Sequence, residues 1–452
     1  MKWYSMAAGA AVLVGGLAGC GGGGGGGGGG LPLLPIAATA LSFSVTVNGN
    51  SATADSNGQY SAKPGDTVAV IPNTGADWTS SSAPSGSISL RNPDISSGKW
   101  SAQLVNSTTA AGVLTISAKA SSNAALTKDA VFKVSAGDAR NGSYKVFASN
   151  GTRQALALNF DTMSYVMTDD AGTAVSDSFS SDPTEAGTYL FKSARNTAKA
   201  INTRFRITTD TVVGSFPFQA AKVPGTYAVQ PFVASRAMVT TQSALDGAYT
   251  RMGINLQAAT RDSNIRQVQV ANGGTMLYLC DEIGITSIAA CPPVSLLTYN
   301  VTAGVAPDAW NIVNVADPQD SGTFYMASVA GKNVYLAAGT NLKAPNDSIF
   351  RIGLSESAVW PVSKASGGDT AGNWGTLDFT ATTYTTLQAR SDATGFGFTA
   401  NLSSPSSSVL NLRVFTSPSS ANYFASQDGT LSAVLGARAG PAAGYIQIGL
   451  MR

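Results

Sequence analysis

Along LSFSVTVNG the apolar residues Leu41, Phe43, Val45 and Val47 take every second position, with small or polar residues between them. A period of two places those four side chains on one face of an extended strand. GDTVAVIP, SISLRN, KWSAQLVN, GVLTISAKAS and DAVFKVS follow, separated by Gly, Pro, Asn and Ser clusters that make turns. About six or seven short strands within residues 41–136 predict a β-sandwich of immunoglobulin-like type. Trp78 and Trp100 are read as core or edge aromatics of that module.

After SAGDARNG the strands lengthen and the chain echoes itself across residues 140–452. Asp182-Pro183-Thr184-Glu185-Ala186-Gly187-Thr188-Tyr189 is echoed by Asp317-Pro318-Gln319-Asp320-Ser321-Gly322-Thr323-Phe324. TRFRITTDTVVGSFP (203–217) is echoed by SIFRIGLSESAVWP (348–361), and more weakly by YFASQDGTLSAVLG (423–436). LNFDTMSYVMTDDAG (158–172) is echoed by LDFTATTYTTLQARSDATG (377–395). These echoes predict a repeat-built antiparallel β domain, with units near 140–235, 246–362 and 370–452. Barrel-like or sandwich modules fit the irregular spacing, and a β-propeller is the alternative way of hiding strand edges. Helix is nearly absent, and SARNTAKAINT (193–203) is the best short candidate. The fold class expected is therefore all-β.

Composition refines this picture. Charged residues make up 12% of the 452-residue chain and the formal net charge is +2, with no basic or acidic block. That removes the electrostatic footprint of a nucleic-acid binder. The nearest thing to a basic cluster, Arg204 and Arg206, is read as solvated strand positions. The chain has no histidine, which excludes Ser-His-Asp and Cys-His mechanisms and imidazole metal sites.

Residues 1–19 have the layout of a secretory signal, with Lys2 ahead of a short apolar stretch from Ala7 to Ala18. Leu17-Ala18-Gly19-Cys20 at its end resembles the lipobox of bacterial lipoproteins. The resemblance implies cleavage before Cys20, lipidation of Cys20, and membrane attachment through that lipid. Gly21 stands where an inner-membrane retention signal would have Asp, so the expected address is the outer membrane. Residues 20–40, with ten consecutive glycines, then form a tether. Roughly 20 flexible residues reach about 25 Å on average. Export also implies an oxidising compartment, so Cys280 and Cys291 are expected to form a disulfide.

Catalytic signatures are missing. Ser96-Ser97-Gly98-Lys99 matches a Ser-Lys spacing, but Gly98 and the strand pattern of KWSAQL oppose the helix it needs. Asp169-Asp170 and Asp281-Glu282 are adjacent carboxylates that a strand would turn to opposite faces. The D-P-x-acidic-x-G blocks read as turns rather than calcium ligands. Asp161, Asp378 and Glu356 are the carboxylates left for a glycosidase-type pair. No catalytic residue, metal site or cofactor is expected. In layout the chain is similar to Gly-tethered, barrel-bearing surface lipoproteins of Gram-negative bacteria, such as the transferrin-binding lipoprotein family, without transferring any binding residue. The expectation is a non-catalytic outer-membrane lipoprotein presenting β modules to a protein or glycan. A carbohydrate-active enzyme and a structural part of an envelope assembly are the alternatives.

Overall fold

The structure is a computed structural model and describes residues 40–452 except 107–109, 193–201, 220–225, 258–259, 282–286, 342–343, 390–394, 405–408 and 439. The signal, Cys20, the glycine run, Glu282 and nearly all of SARNTAKAINT lie outside the described residues. The described chain is all-β, with only short 3-10 turns beside its strands.

The first module is a two-layer sandwich. One sheet runs in the order Asn50–Ser51, Phe43–Val47, Thr67–Pro72, Lys99–Asn106, Ile88–Ser96. The other runs Gln59–Ala62, Thr127–Val134, Gly112–Ala120, Ala76–Ala83. Gln59–Ala62 and Thr127–Val134 pair in parallel. Strand Gly112–Ala120 alternates buried and less buried positions along its length, as the period of two requires. The inward positions Val68, Val70, Trp100 and Leu104 meet Leu114, Ile116 and Phe132 in one core. Trp100 lies at its centre, whereas Trp78 packs near Phe43 and donates its indole N–H to the Ser96 carbonyl at 2.8 Å.

Three eight-stranded antiparallel meanders follow, over residues 142–235, 247–355 and 363–451. The first two are closed barrels. The first closes where Gly142–Ala148 pairs with Tyr227–Ser235, the second where Gly247–Leu256 pairs with Ala344–Ser355. In the third, Ser363–Asp369 pairs with both Trp374–Phe379 and Ile446–Met451 at the sheet's centre. Its edge strands are Gly395–Asn401 and Leu412–Thr416. Two of the three units thus hide their strand edges by closing into barrels rather than by stacking as propeller blades, while the third remains an open sheet.

Aromatic side chains fill the first barrel. Tyr144, Phe160, Tyr165, Phe179, Phe191, Phe205, Phe216 and Phe232 form one cluster, with many rings edge to face. The seventh strands of the first and third units break the inside–outside alternation. Thr211–Gln219 is buried at all but its last residue, and Leu431–Gly436 at every position. Their outer faces meet in a shared core holding Val213 and Val233, Ile254 and Leu336, and Leu435 and Ile448. A sheet covered on both faces is apolar on both, and here the covering layer is a neighbouring unit.

The echoes differ in structural meaning. LNFDTMSYVMTDDAG and LDFTATTYTTLQARSDATG both hold the second and third strands of their units. TRFRITTDTVVGSFP and YFASQDGTLSAVLG both hold the sixth and seventh. SIFRIGLSESAVWP instead holds the eighth strand of the second barrel, Ala344–Ser355. Every strand of such a barrel obeys the same inside–outside alternation, so a short match slides by a whole strand. Arg204 and Arg206 also depart from the sequence reading, because neither is solvated. Arg204 Nε pairs with Asp182 at 2.8 Å, and Arg206 donates to the Ala186 carbonyl at 2.9 Å. They sit on the outer face of the first barrel, and the sheet of the third unit removes that face from water.

Candidate functional site

The second barrel is filled at one end and hollow at the other. At the filled end Phe324 stacks on Tyr335 with ring centroids 4.9 Å apart. There Trp310 donates to the Val239 carbonyl at 3.2 Å, and Gln242 reaches the Val301 carbonyl at 2.8 Å. Residues 239–245 thereby plug that end, and Leu245 is fully buried in it.

Unequal strand lengths create the hollow end. Four neighbouring strands, Lys332–Asn341, Ala344–Ser355, Gly247–Leu256 and Arg261–Ala271, have 10 to 12 residues, whereas Met276–Cys280 has five. The ladder between Arg261–Ala271 and Met276–Cys280 begins only at Val268–Leu279. The ladder between Ser321–Val329 and Lys332–Asn341 stops at Tyr325–Leu336. The long strands therefore stand as a curved wall, and the opposite wall is low. The result is a cup of about 490 Å³, within the usual range for small-ligand pockets.

Strand parity decides what lines it. Tyr249 faces the lumen cluster while Met252 and Ile254 face the shared core, so Arg251 points inward with Tyr249. The same reasoning turns Arg266 inward with Val268 and Arg351 inward between Phe350 and Ile352. Arg251 is the direct cross-strand partner of Arg266, and Arg351 is that of Gly253. Like charges directly opposite each other destabilise a sheet, yet here they stand side by side in a chain poor in charge. Gly253 makes room: a Cβ there would lie 2.6 Å from Arg351 Cδ and 2.1 Å from the Phe350 carbonyl oxygen.

The guanidinium groups have few acidic partners among the described residues. Arg351 donates to the carbonyls of Ile254 at 2.6 Å and Phe350 at 2.9 Å, and to the Asn255 side chain. Burial, followed by repulsion from Arg251 and then Arg266, pushes its pKa down to about 9, so it stays charged at neutral pH. Burial and Arg251 also lower that of Arg266, which approaches Asp281 at 3.6 Å. Arg251 donates to Asn264 Oδ1 at 3.2 Å, and its Nε is buried with no hydrogen-bond partner. Asp320 is engaged by Tyr299 at 2.7 Å and Asn314 at 2.9 Å. Burial raises the Tyr299 pKa, keeping the phenol a donor. The cup can therefore orient an electron-rich group with fixed donors.

Cys280 and Cys291 are joined, with Cα atoms 5.7 Å apart. The bond ties the end of Met276–Cys280 to the chain after the turn Ile288–Ala290, on the low side of the cup. Ile288 donates its N–H to Gln267 Oε1 at 2.6 Å, anchoring that turn to the long wall.

The other singled-out residues are dispersed. Asp161 accepts from the Asp138 N–H and the Asn141 side chain, between the sandwich and the first barrel. Asp378 pairs with Arg452 at 2.6 Å in the third unit. Glu356 accepts from Gln267 at 2.8 Å just beyond the last strand of the second barrel. The fold does not bring these three carboxylates together. Ser96 and Lys99 face each other across a hairpin, and Lys99 pairs with Asp94. Asp169 holds a tight turn by accepting from the Ala171 and Thr173 N–H groups. Asp182 and Asp317 do the same for Thr184 and Gln319.

Sequence reasoning missed the three arginines because 85 residues and five intervening strands separate Arg266 from Arg351. The available signal was parity, since Tyr249 and Arg251 share one face of GAYTRMGINL.

No family model and no curated protein matches the chain. Among solved structures it is similar to a DUF4784-family protein from Bacteroides caccae, at 11% identity over 78% of this chain and 95% of that one, with a TM-score of 0.18. It is also similar to a quinonprotein alcohol dehydrogenase-like protein from Bacteroides thetaiotaomicron, at 9% identity over 86% and 95%, TM-score 0.15. A third match is surface layer protein SbsC, domains 1–6, at 9% identity over 92% and 63%, TM-score 0.14.

Proposed function

We propose that this protein is a non-catalytic lipoprotein of the bacterial outer membrane, which holds β modules off the membrane to bind a protein or glycan. Leu17-Ala18-Gly19-Cys20 and the glycine run behind it support the anchored part. Several acyl chains on Cys20 would anchor far better than one, at about 0.8 kcal/mol per buried CH₂. The sandwich, read as immunoglobulin-like, is then the spacer between tether and barrels.

One observation carries the binding part: Arg251, Arg266 and Arg351 converge on a single cup in the second barrel. Fixed donors around a cavity suit recognition, and one partly apolar pocket with a few convergent polar groups is the usual form of a ligand site.

Two measurements test the proposal. Cys20→Ser should release the protein from the membrane fraction of fractionated cells; unchanged association overturns the anchored part. Envelope extract should protect Arg251 of the full-length protein from an arginine-selective dicarbonyl reagent, as read by mass spectrometry. Equal modification with and without extract overturns the binding part.

A further inference from the structure

We propose that the cup in the second barrel takes a small organic anion, whose carboxylate or phosphate group sits among Arg251, Arg266 and Arg351. The inference rests on the reading above that this cup is where the protein binds its ligand.

Three independent features of the cup lead to it. The first is charge. Arg251 and Arg266 occupy directly opposed positions on neighbouring strands. Arg351 comes from the strand on the other side of Arg251 and is buried to 8% exposure. An isolated sheet gains nothing from such a juxtaposition, whereas an oxyanion between the guanidinium groups turns repulsion into charge-assisted hydrogen bonds. Among the described residues, the carboxylates in and near the cup leave that role open. Asp281 is 65% exposed and stands 3.6 Å from Arg266. Asp262 faces Arg438 of the third unit at 3.1 Å. Asp320 is engaged by Tyr299 and Asn314.

The second feature is an unspent donor. Arg251 Nε is buried without a partner, while its Nη2 is already committed to Asn264. A buried, unsatisfied charged donor costs folding free energy, so its retention points to a group that arrives from outside. Nε and the neighbouring Nη of a guanidinium match two oxygens of a carboxylate or phosphate.

The third feature is access and shape. Beyond Tyr325–Leu336 the strands Ser321–Val329 and Lys332–Asn341 no longer pair, and residues on both sides of this split line the cup. A Cβ at Gly339 would meet nothing within 4 Å, and one at Gly322 only the Ile312 side chain, so the split is open. Leu279, Leu297 and Ile312 give the same cavity an apolar side. The combination fits a compact organic body carrying an oxyanion better than a bare inorganic ion.

Calorimetry on the full-length protein in detergent at low salt tests this, with citrate, glucuronate, inorganic phosphate and neutral glucose as probes. At least one of the three anions should bind saturably at one site, more weakly as salt rises, and glucose should not. Preference for glucuronate or citrate identifies a carboxylate ligand, and preference for phosphate a phosphorylated one. Arg251→Gln should weaken the preferred anion roughly tenfold or more. Asp281→Asn, at an exposed position that folding tolerates, should tighten it severalfold by removing the competing carboxylate. The proposal is overturned if no anion binds, or if Asp281→Asn has no effect or weakens binding. It is likewise overturned if a folded Arg251→Gln binds as the parent does. Glucose binding as tightly as glucuronate overturns the anion class while leaving the cup a binding site.

Discussion

The Trp374 indole of the third unit donates its N–H to Glu185 Oε2 of the first barrel at 2.9 Å, across 189 positions of sequence. Ser366 donates to the other oxygen of the same carboxylate, and Arg206 stands 3.8 Å from it. A loop of the first barrel is thus locked onto the sheet of the third unit through a mostly buried charge. Trp374→Phe keeps the ring and removes the N–H. It should cost about 1.5–3 kcal/mol, the range for a hydrogen bond to a charged group, read as a lower midpoint in denaturant unfolding.

The same seam is close-packed at Gly368. A Cβ on this residue would lie 1.7 Å from Ser215 Oγ of the first barrel and 3.5 Å from Pro231 Cβ. Gly368→Ala should destabilise by about 1–3 kcal/mol, as overpacking does. Gly368→Ala combined with Ser215→Gly should recover part of that loss in the same unfolding assay, because the clash is with the serine side chain.

Glu356 gives a pH signature. Burial raises its pKa, against hydrogen bonds from Gln267 and the Leu410 N–H that lower it. A carboxyl whose folded pKa is raised binds more protons folded than unfolded across the window between the two values. Its contribution to stability therefore falls as pH rises through that window and is regained on acidification. Glu356→Gln removes the buried charge and leaves an oxygen for Gln267. The variant should exceed the parent in stability at neutral pH, and the difference should vanish below about pH 4, where the carboxyl is protonated in both states. Thermal melts across pH check this; a constant difference at all pH values contradicts it.

The disulfide closes a short loop on the low side of the cup. Cys280 is 1% exposed, so its bridge is shielded from reductant on that side. Cys291→Ser should lower the stability of the second barrel by about 2–4 kcal/mol, the usual range for such a bond. Differential scanning calorimetry would read it as an earlier transition, and reduction of the parent should give the same shift.

Some of this structure was legible in the chain. The alternation of Phe43, Val45 and Val47 and the runs after it announced a sandwich, because a half-buried strand has no other way to satisfy both faces. The second-and-third-strand echo, with Tyr165 and Tyr384 both fully buried, marked two units of one kind. Asp182 and Asp317 were recognisable as turn residues from their local sequence alone. Turn chemistry and alternation are properties of a few neighbouring residues, so they survive translation into sequence. Arg204 and Arg206 were misread as solvated for the opposite reason. Their burial depends on Glu185, Asp182 and a wall of the third unit, none of which lies beside them in sequence.

The sequence by itself determined that this protein is all-β and repetitive, poor in charge and free of histidine, with a lipobox-like motif and a glycine run ahead of its modules. Those features rest on composition and on periods of two, which need only local geometry. Tertiary structure decided that the first two units close as barrels rather than blades, and that strands of all three units share one core. It also decided that Arg251, Arg266 and Arg351 meet in one cup. Closure brings the first strand of a unit against its last, so it sets side by side residues that the sequence holds nearly a hundred positions apart.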